Sequence, residues 1–80
     1  MESKAALIAI IVGEPDSVEK LNGILHEYAQ YIIGRMGLPY SKKKVNIISV
    51  IIDAPQNAIE TLSGKISGLD GVSAKAVYSE

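Results

Sequence analysis

The stretch "VNIISVIID", Val45 to Asp53, decides how this chain folds. Its β-branched residues run almost unbroken, which marks a strand. Side chains alternate across a strand, so Val45, Ile47 and Ile51 share one side, and Ile48, Val50 and Ile52 the other. An antiparallel strand with one wet face alternates apolar and polar residues. This strand is apolar on both sides, so it belongs at the centre of a sheet with cover on each face.

The neighbouring segments supply that sheet. Upstream, "SKKK" (Ser41 to Lys44) is a polar hairpin tip. Before it, Gly34, Gly37 and Pro39 disfavour helix, and Ile32, Gly34, Met36 and Leu38 set against Ile33 and Arg35 give a short strand. "EPDSVEKLNGILHEYAQYI" carries Val18, Leu21, Leu25, Tyr28 and Ile32 at helical spacing and leaves the helix near Gln30 to Ile33. Pro15 suits its first turn, and Asp16 with Glu19 has capping-box spacing. Gly23 weakens this helix slightly. "KAALIAIIVG" at the start is a second apolar strand ending at Gly13. Downstream, "APQNAIETLSGKISGL" has Ile59, Leu62, Ile66 and Leu69 at helical spacing. Gly64 reads as a close-packing position and Gly68 as a helix end. "DG" turns into a half-polar last strand, "VSAKAVYS".

The order is β-α-β-β-α-β. It predicts an α+β, ferredoxin-like fold over residues 1–80 as a single domain: one four-stranded antiparallel sheet with two helices on one face. That fold places its first and third strands centrally, and these are the two most apolar strands here. The first strand is also apolar on both sides, with Leu7, Ala9 and Ile11 against Ala6, Ile8, Ile10 and Val12. Two helices cover one face only, so the other needs a second layer. Such a patch marks an interaction surface. Burying about 500 Å² of it per subunit contributes roughly 12 kcal/mol gross, offset in part by association entropy. The expectation is a homo-oligomer, dimer or tetramer, through Ile8, Ile10, Ile48, Val50 and Ile52, or through the opposite set. Which set faces the helices is open at this stage.

Composition narrows the function. The 80 residues contain no cysteine, which excludes thiolate metal sites, thiol nucleophiles and redox switching. Net charge is -1, without the basic excess of a nucleic-acid binder. "AALIAIIVG" lacks a basic leader and is too short to span a bilayer. A cytoplasmic protein without a membrane partner is expected, with no room beside this core for a DNA-binding domain.

His26 is the only histidine, and helical geometry turns it away from the apolar face. One imidazole does not make a metal site, and no nucleophile stands with it. Lys42, Lys43 and Lys44 read as a solvated tip, with direct nucleic-acid contact as the competing reading. "LSGKISG" lacks phosphate-loop spacing and sits in a helix pattern. Tyr28, Tyr31, Tyr40 and Tyr78 read as core-edge and interface residues. Gly13, in the turn "VGEPDS", reads as a plain turn residue, with backbone approach by a small neutral or amine-bearing ligand as the alternative.

"ILHEYAQYIIGRMGLPY", "VNIISVIID" and "LSGKISGLDGVSAKAVYSE" resemble, across essentially the whole chain, a small family of iron-only (FeFe) hydrogenase system regulators. "LSGKI..L.GV..K.V" is the most specific part. That family is similar in fold to the regulatory domain of nickel-responsive repressors and to ACT-like domains. The resemblance implies an assembly of ferredoxin-like subunits and a role in transcription regulation. The repressors' nickel pattern, H-x10-H-x-H-x5-C, started at His26, falls on Gly37, Pro39 and Val45, none of which can bind nickel. The repressors also carry a DNA-binding segment ahead of this domain, and here the first strand begins near Lys4. The expected protein is therefore non-catalytic, without metal or cofactor. It would sense a small-molecule effector and act through a DNA-binding partner. The alternative is a small oligomeric enzyme with an interface pocket near His26 and Glu27.

Overall fold

Strands β1 (Lys4–Val12) and β3 (Val45–Ala54) lie side by side at the centre of the sheet, as their unbroken apolar runs require. β2 (Ile32–Tyr40) flanks β3, and β4 (Val72–Tyr78) flanks β1, every pair antiparallel. Helices α1 (Ser17–Glu27) and α2 (Gln56–Ser67) make the two crossovers. The molecule is thus the βαββαβ ferredoxin-like fold. The computed structural model describes residues 2–79. No helix among them is long and apolar enough to cross a membrane.

Both helices pack on one face. Their Leu21, Leu25, Ile59, Leu62 and Ile66 close over Ala6, Ile8, Ile10 and Val12 of β1 and Ile48, Val50, Ile52 and Ala54 of β3. The question of which set faces the helices is thereby decided. Ile8, Ile10, Ile48, Val50 and Ile52, assigned first to an intersubunit surface, are buried inside the chain's own core. The register sends them all to the helix side, so the opposite set is the one left outside.

Helix α1 differs from its sequence reading at both ends. Its apolar spacing continues to Ile32, yet the helix stops at Glu27. A short 3-10 turn, Ala29–Tyr31, follows. Tyr28 and Ile32 still pack on the core, one from the helix cap and one from β2. The capping box does not form. Asp16 has helical backbone angles and makes no side-chain cap bond. The Asp16 N–H instead donates to the Glu14 carboxylate at 3.3 Å. In α2, a Cβ on Gly64 would meet nothing within 4 Å, so Gly64 is no close-packing position, while Gly68 does end the helix.

The β1–α1 and α2–β4 turns are tied together. The Gly13 N–H donates to the Gly71 carbonyl at 2.7 Å. The Ser17 hydroxyl, buried, donates to the Asp70 carbonyl at 2.7 Å. The backbone approach at Gly13 is thus taken by the chain itself, which is the plain-turn reading.

Strand β2 carries a β-bulge. Ile32 pairs with Ile52, but Gly34 pairs with Ile51, leaving Ile33 as the extra residue. The simple alternation expected of this strand therefore breaks after Ile32. Ile32 faces the helices, opposite Ile52, while Gly34, Met36, Leu38 and Tyr40 face the other way, opposite Ile51, Ser49, Ile47 and Val45. Arg35 stands opposite Val50, on the helix side.

Candidate functional site

Two surfaces share β2. The first is the sheet face without helices. Its residues line up in rows across the strands. Leu38, Ile47 and Ile11 form one large apolar row, ending at Ser73 on β4. Ile51, Leu7 and Val77 form a second. Between them Ser49 and Ala9 make a low central row, with Met36 at the β2 end and Lys75 at the β4 end. The face is two ridges with a trough between. Met36 is 71% exposed, Leu38 58%, Ile11 48% and Ile51 47%. Ile11 and Ile51 are large side chains left open on central strands, and their contiguity with Leu38 and Met36 of the edge strand makes a patch rather than scattered surface apolars.

The second surface is a cleft of about 260 Å³ between α1 and β2. Leu25, Ala29 and Ile32 are among its apolar lining, and Asn22, His26 and Arg35 its polar lining. Asn22 and His26 lie one turn apart on α1, so both reach the same side. The Arg35 Nη2 donates to Asn22 Oδ1 at 2.9 Å, which holds the guanidinium across the cleft mouth.

The structure separates the residues of the enzyme alternative. His26 is exposed and lines the cleft. Glu27, next along the helix, does not line it; its carboxylate instead stands 3.6 Å from Lys65 Nζ of α2. Lys65 Nζ also lies 5.5 Å from the centre of the Tyr28 ring. Tyr28 and Tyr31 have ring centroids 6.5 Å apart and pack at the core edge with Tyr78. Tyr40 belongs to the open face. Lys42, Lys43 and Lys44 are exposed at the hairpin tip, where Lys44 takes a left-handed φ of 57°. Of the positions compared with the nickel pattern, Gly37 and Pro39 lie on the helix side of β2, and Val45 on the open face. No group of three or more His, Cys, Asp or Glu that could hold a metal occurs among the described residues.

Arg35 escaped the sequence reading because it was placed by counting from Ile32. Counting back from the hairpin, Tyr40 opposite Val45, puts Arg35 with Val50 on the helix side. The conflict between the two counts is the signal that finds the bulge.

The fold and its uncovered apolar face define a ferredoxin-like domain with a free sheet surface. Comparison with family models carries this further: the chain belongs to the TM1266-like family, described as "Iron-only hydrogenase system regulator, putative", whose model matches residues 4–76. Among solved structures, it is similar to the uncharacterized protein TM1266 from Thermotoga maritima, with a TM-score of 0.94 and 26% identity, covering 99% of this chain and 100% of that one. No curated protein matches the sequence.

Proposed function

We propose that this chain is a non-catalytic, cytoplasmic regulatory subunit of an iron-only hydrogenase system. It works as a homo-oligomer whose minimal unit is a dimer joined through the open sheet face. It senses a small-molecule effector and acts on transcription through a DNA-binding partner, having no basic face of its own.

The observation that carries this reading is the two-ridged apolar face. A second copy is the fitting occupant. A two-fold axis brings the same patch together from both sides, and a ridge of one copy seats in the Ser49–Ala9 trough of the other at ordinary sheet-packing distance. About 500 Å² from each copy gives roughly 1,000 Å² in total, the size at which specific interfaces begin. The regulatory role is supported by the family's description.

Sedimentation velocity across micromolar concentrations tests the assembly. A dimer or larger species is expected. Ile51→Lys, which sets a charge at the β3 end of one ridge, is expected to give a folded monomer. A wild-type monomer throughout the range would sink the reading.

A further inference from the structure

The β-bulge at Ile33 has an effect on charge placement. Were Ile33 an ordinary paired residue, strict alternation from Ile32 would put Arg35 on the open face. Because Ile33 is the surplus residue of the bulge, Arg35 stands opposite Val50 and turns to the helix side. Bulges re-aim side chains in this way beside binding sites. There the guanidinium bonds to Asn22 and lines one cleft with His26, Ala29 and Ile32.

We propose that the α1–β2 cleft binds a small organic carboxylate, with Arg35 and His26 as donors and Ala29 and Ile32 against its apolar part. Arg35 has five N–H donors and no acceptor. One nitrogen is occupied by Asn22, which fixes the plane of the group without neutralising it. No carboxylate pairs with Arg35 among the described residues. A guanidinium held in place with free donors matches the planar, two-oxygen geometry of a carboxylate. The imidazole of His26 offers an N–H from the facing wall in either tautomer. Ala29 and Ile32 give a hydrated ion no polar partner on their side of the cleft, which favours a ligand with an apolar part there. A short branched or cyclic hydrocarbon attached to the carboxylate uses them. At about 260 Å³ the cleft falls just below the range of drug-sized ligand pockets, roughly 300 Å³ upward, which suits a small ligand.

This site gives the effector-sensing reading a chemical class. It rests on that reading only for what binding does, not for binding itself. The test is a chemical-shift titration of the full chain with 3-methylbutanoate, with the neutral isostere 3-methylbutanamide, and with inorganic phosphate. The carboxylate is expected to shift Asn22, His26 and Arg35 saturably. The amide and phosphate are each expected to bind about tenfold more weakly or worse, as loss of a charge-assisted, bidentate pair implies. Arg35→Met, with its fold checked by the dispersion of the same spectra, is expected to lose about tenfold in carboxylate affinity. Arg35→Lys keeps the charge without the fork and is expected to fall between. Equal binding of amide and carboxylate, phosphate binding as tightly as carboxylate, an unaffected Arg35→Met protein, or no saturable shift at all would each overturn the site. A monomeric chain that binds the carboxylate overturns the dimer and leaves the site standing.

Discussion

Gly71 lies so close to Glu14 that a Cβ added at 71 would stand 2.7 Å from the Glu14 Cβ. Its φ of 67° is one that side-chain-bearing residues adopt at a cost. Two independent reasons, backbone angle and space, therefore demand glycine here. Gly71→Ala is expected to lose about 2 kcal/mol or more, the left-handed penalty plus the displacement of a neighbouring backbone. Urea unfolding of the two proteins measures it, and a loss under half that size would mean the turn relaxes freely.

The same junction depends on Ser17. Its hydroxyl is buried and donates to the Asp70 carbonyl. Ser17→Ala removes the donor and leaves that oxygen without this partner, at about 1–2 kcal/mol. Because Ser17 and Gly71 serve one junction, the double variant is expected to fall short of the sum of the singles.

Neighbouring isoleucines on β1 should behave as opposites. Ile10 is buried beneath the helices, and Ile11 stands on the open face. Ile10→Ala creates a core cavity and is expected to cost about 3 kcal/mol at any protein concentration. If the proposed dimer forms, Ile11→Ala is expected to lower the melting temperature mainly at the higher concentration, where the burial lost would lie between copies. Melting curves at two concentrations a hundredfold apart distinguish the two effects.

Deleting Ile33 should be tolerated. The residue is the surplus one of the bulge, so its removal gives a regular strand with Ile32 still opposite Ile52 and Gly34 opposite Ile51. Met36 and Leu38 stay on the open face and Arg35 stays with α1. The expected result is a cooperatively folding protein of unchanged sedimentation behaviour. A change in oligomeric state would show that the bulge does more than absorb one residue.

Glu27 is expected to matter little. Its pair with Lys65 is exposed at both ends. Glu27→Gln should change stability by less than about 0.5 kcal/mol and less still at high salt. A loss above about 1 kcal/mol would reveal coupling between the helices that this geometry does not contain.

The element order was legible because β1 and β3 are long apolar runs and both helices carry strong periodic signals. The covered face was not legible, because Ile and Val occupy both sides of β1 and β3 and periodicity is silent when both phases are filled. The end of α1 was misread for a related reason. Tyr28 and Ile32 satisfy helical spacing while reaching the core from a cap and from a strand. The capping box at Asp16 and Glu19 had the right residues, but the Asp16 backbone is already helical and points its carboxylate elsewhere. The cleft was hidden because Ile33, the surplus residue of the bulge, was counted as an ordinary strand residue. His26 was correctly read as facing away from the core, yet its neighbours across the cleft come from a strand whose phase that count had reversed.

The core is built from aliphatic residues, and the chain has neither tryptophan nor phenylalanine. Its optical signals therefore come from four tyrosines, and the fold has sorted them. Tyr28, Tyr31 and Tyr78 sit against the core edge, while Tyr40 stands on the open face. With the first three replaced by phenylalanine, the fluorescence of Tyr40 reports that face alone, and the complementary Tyr40→Phe protein reports the interior. The tyrosines thus supply label-free probes that would follow the proposed assembly and unfolding as separate spectroscopic events.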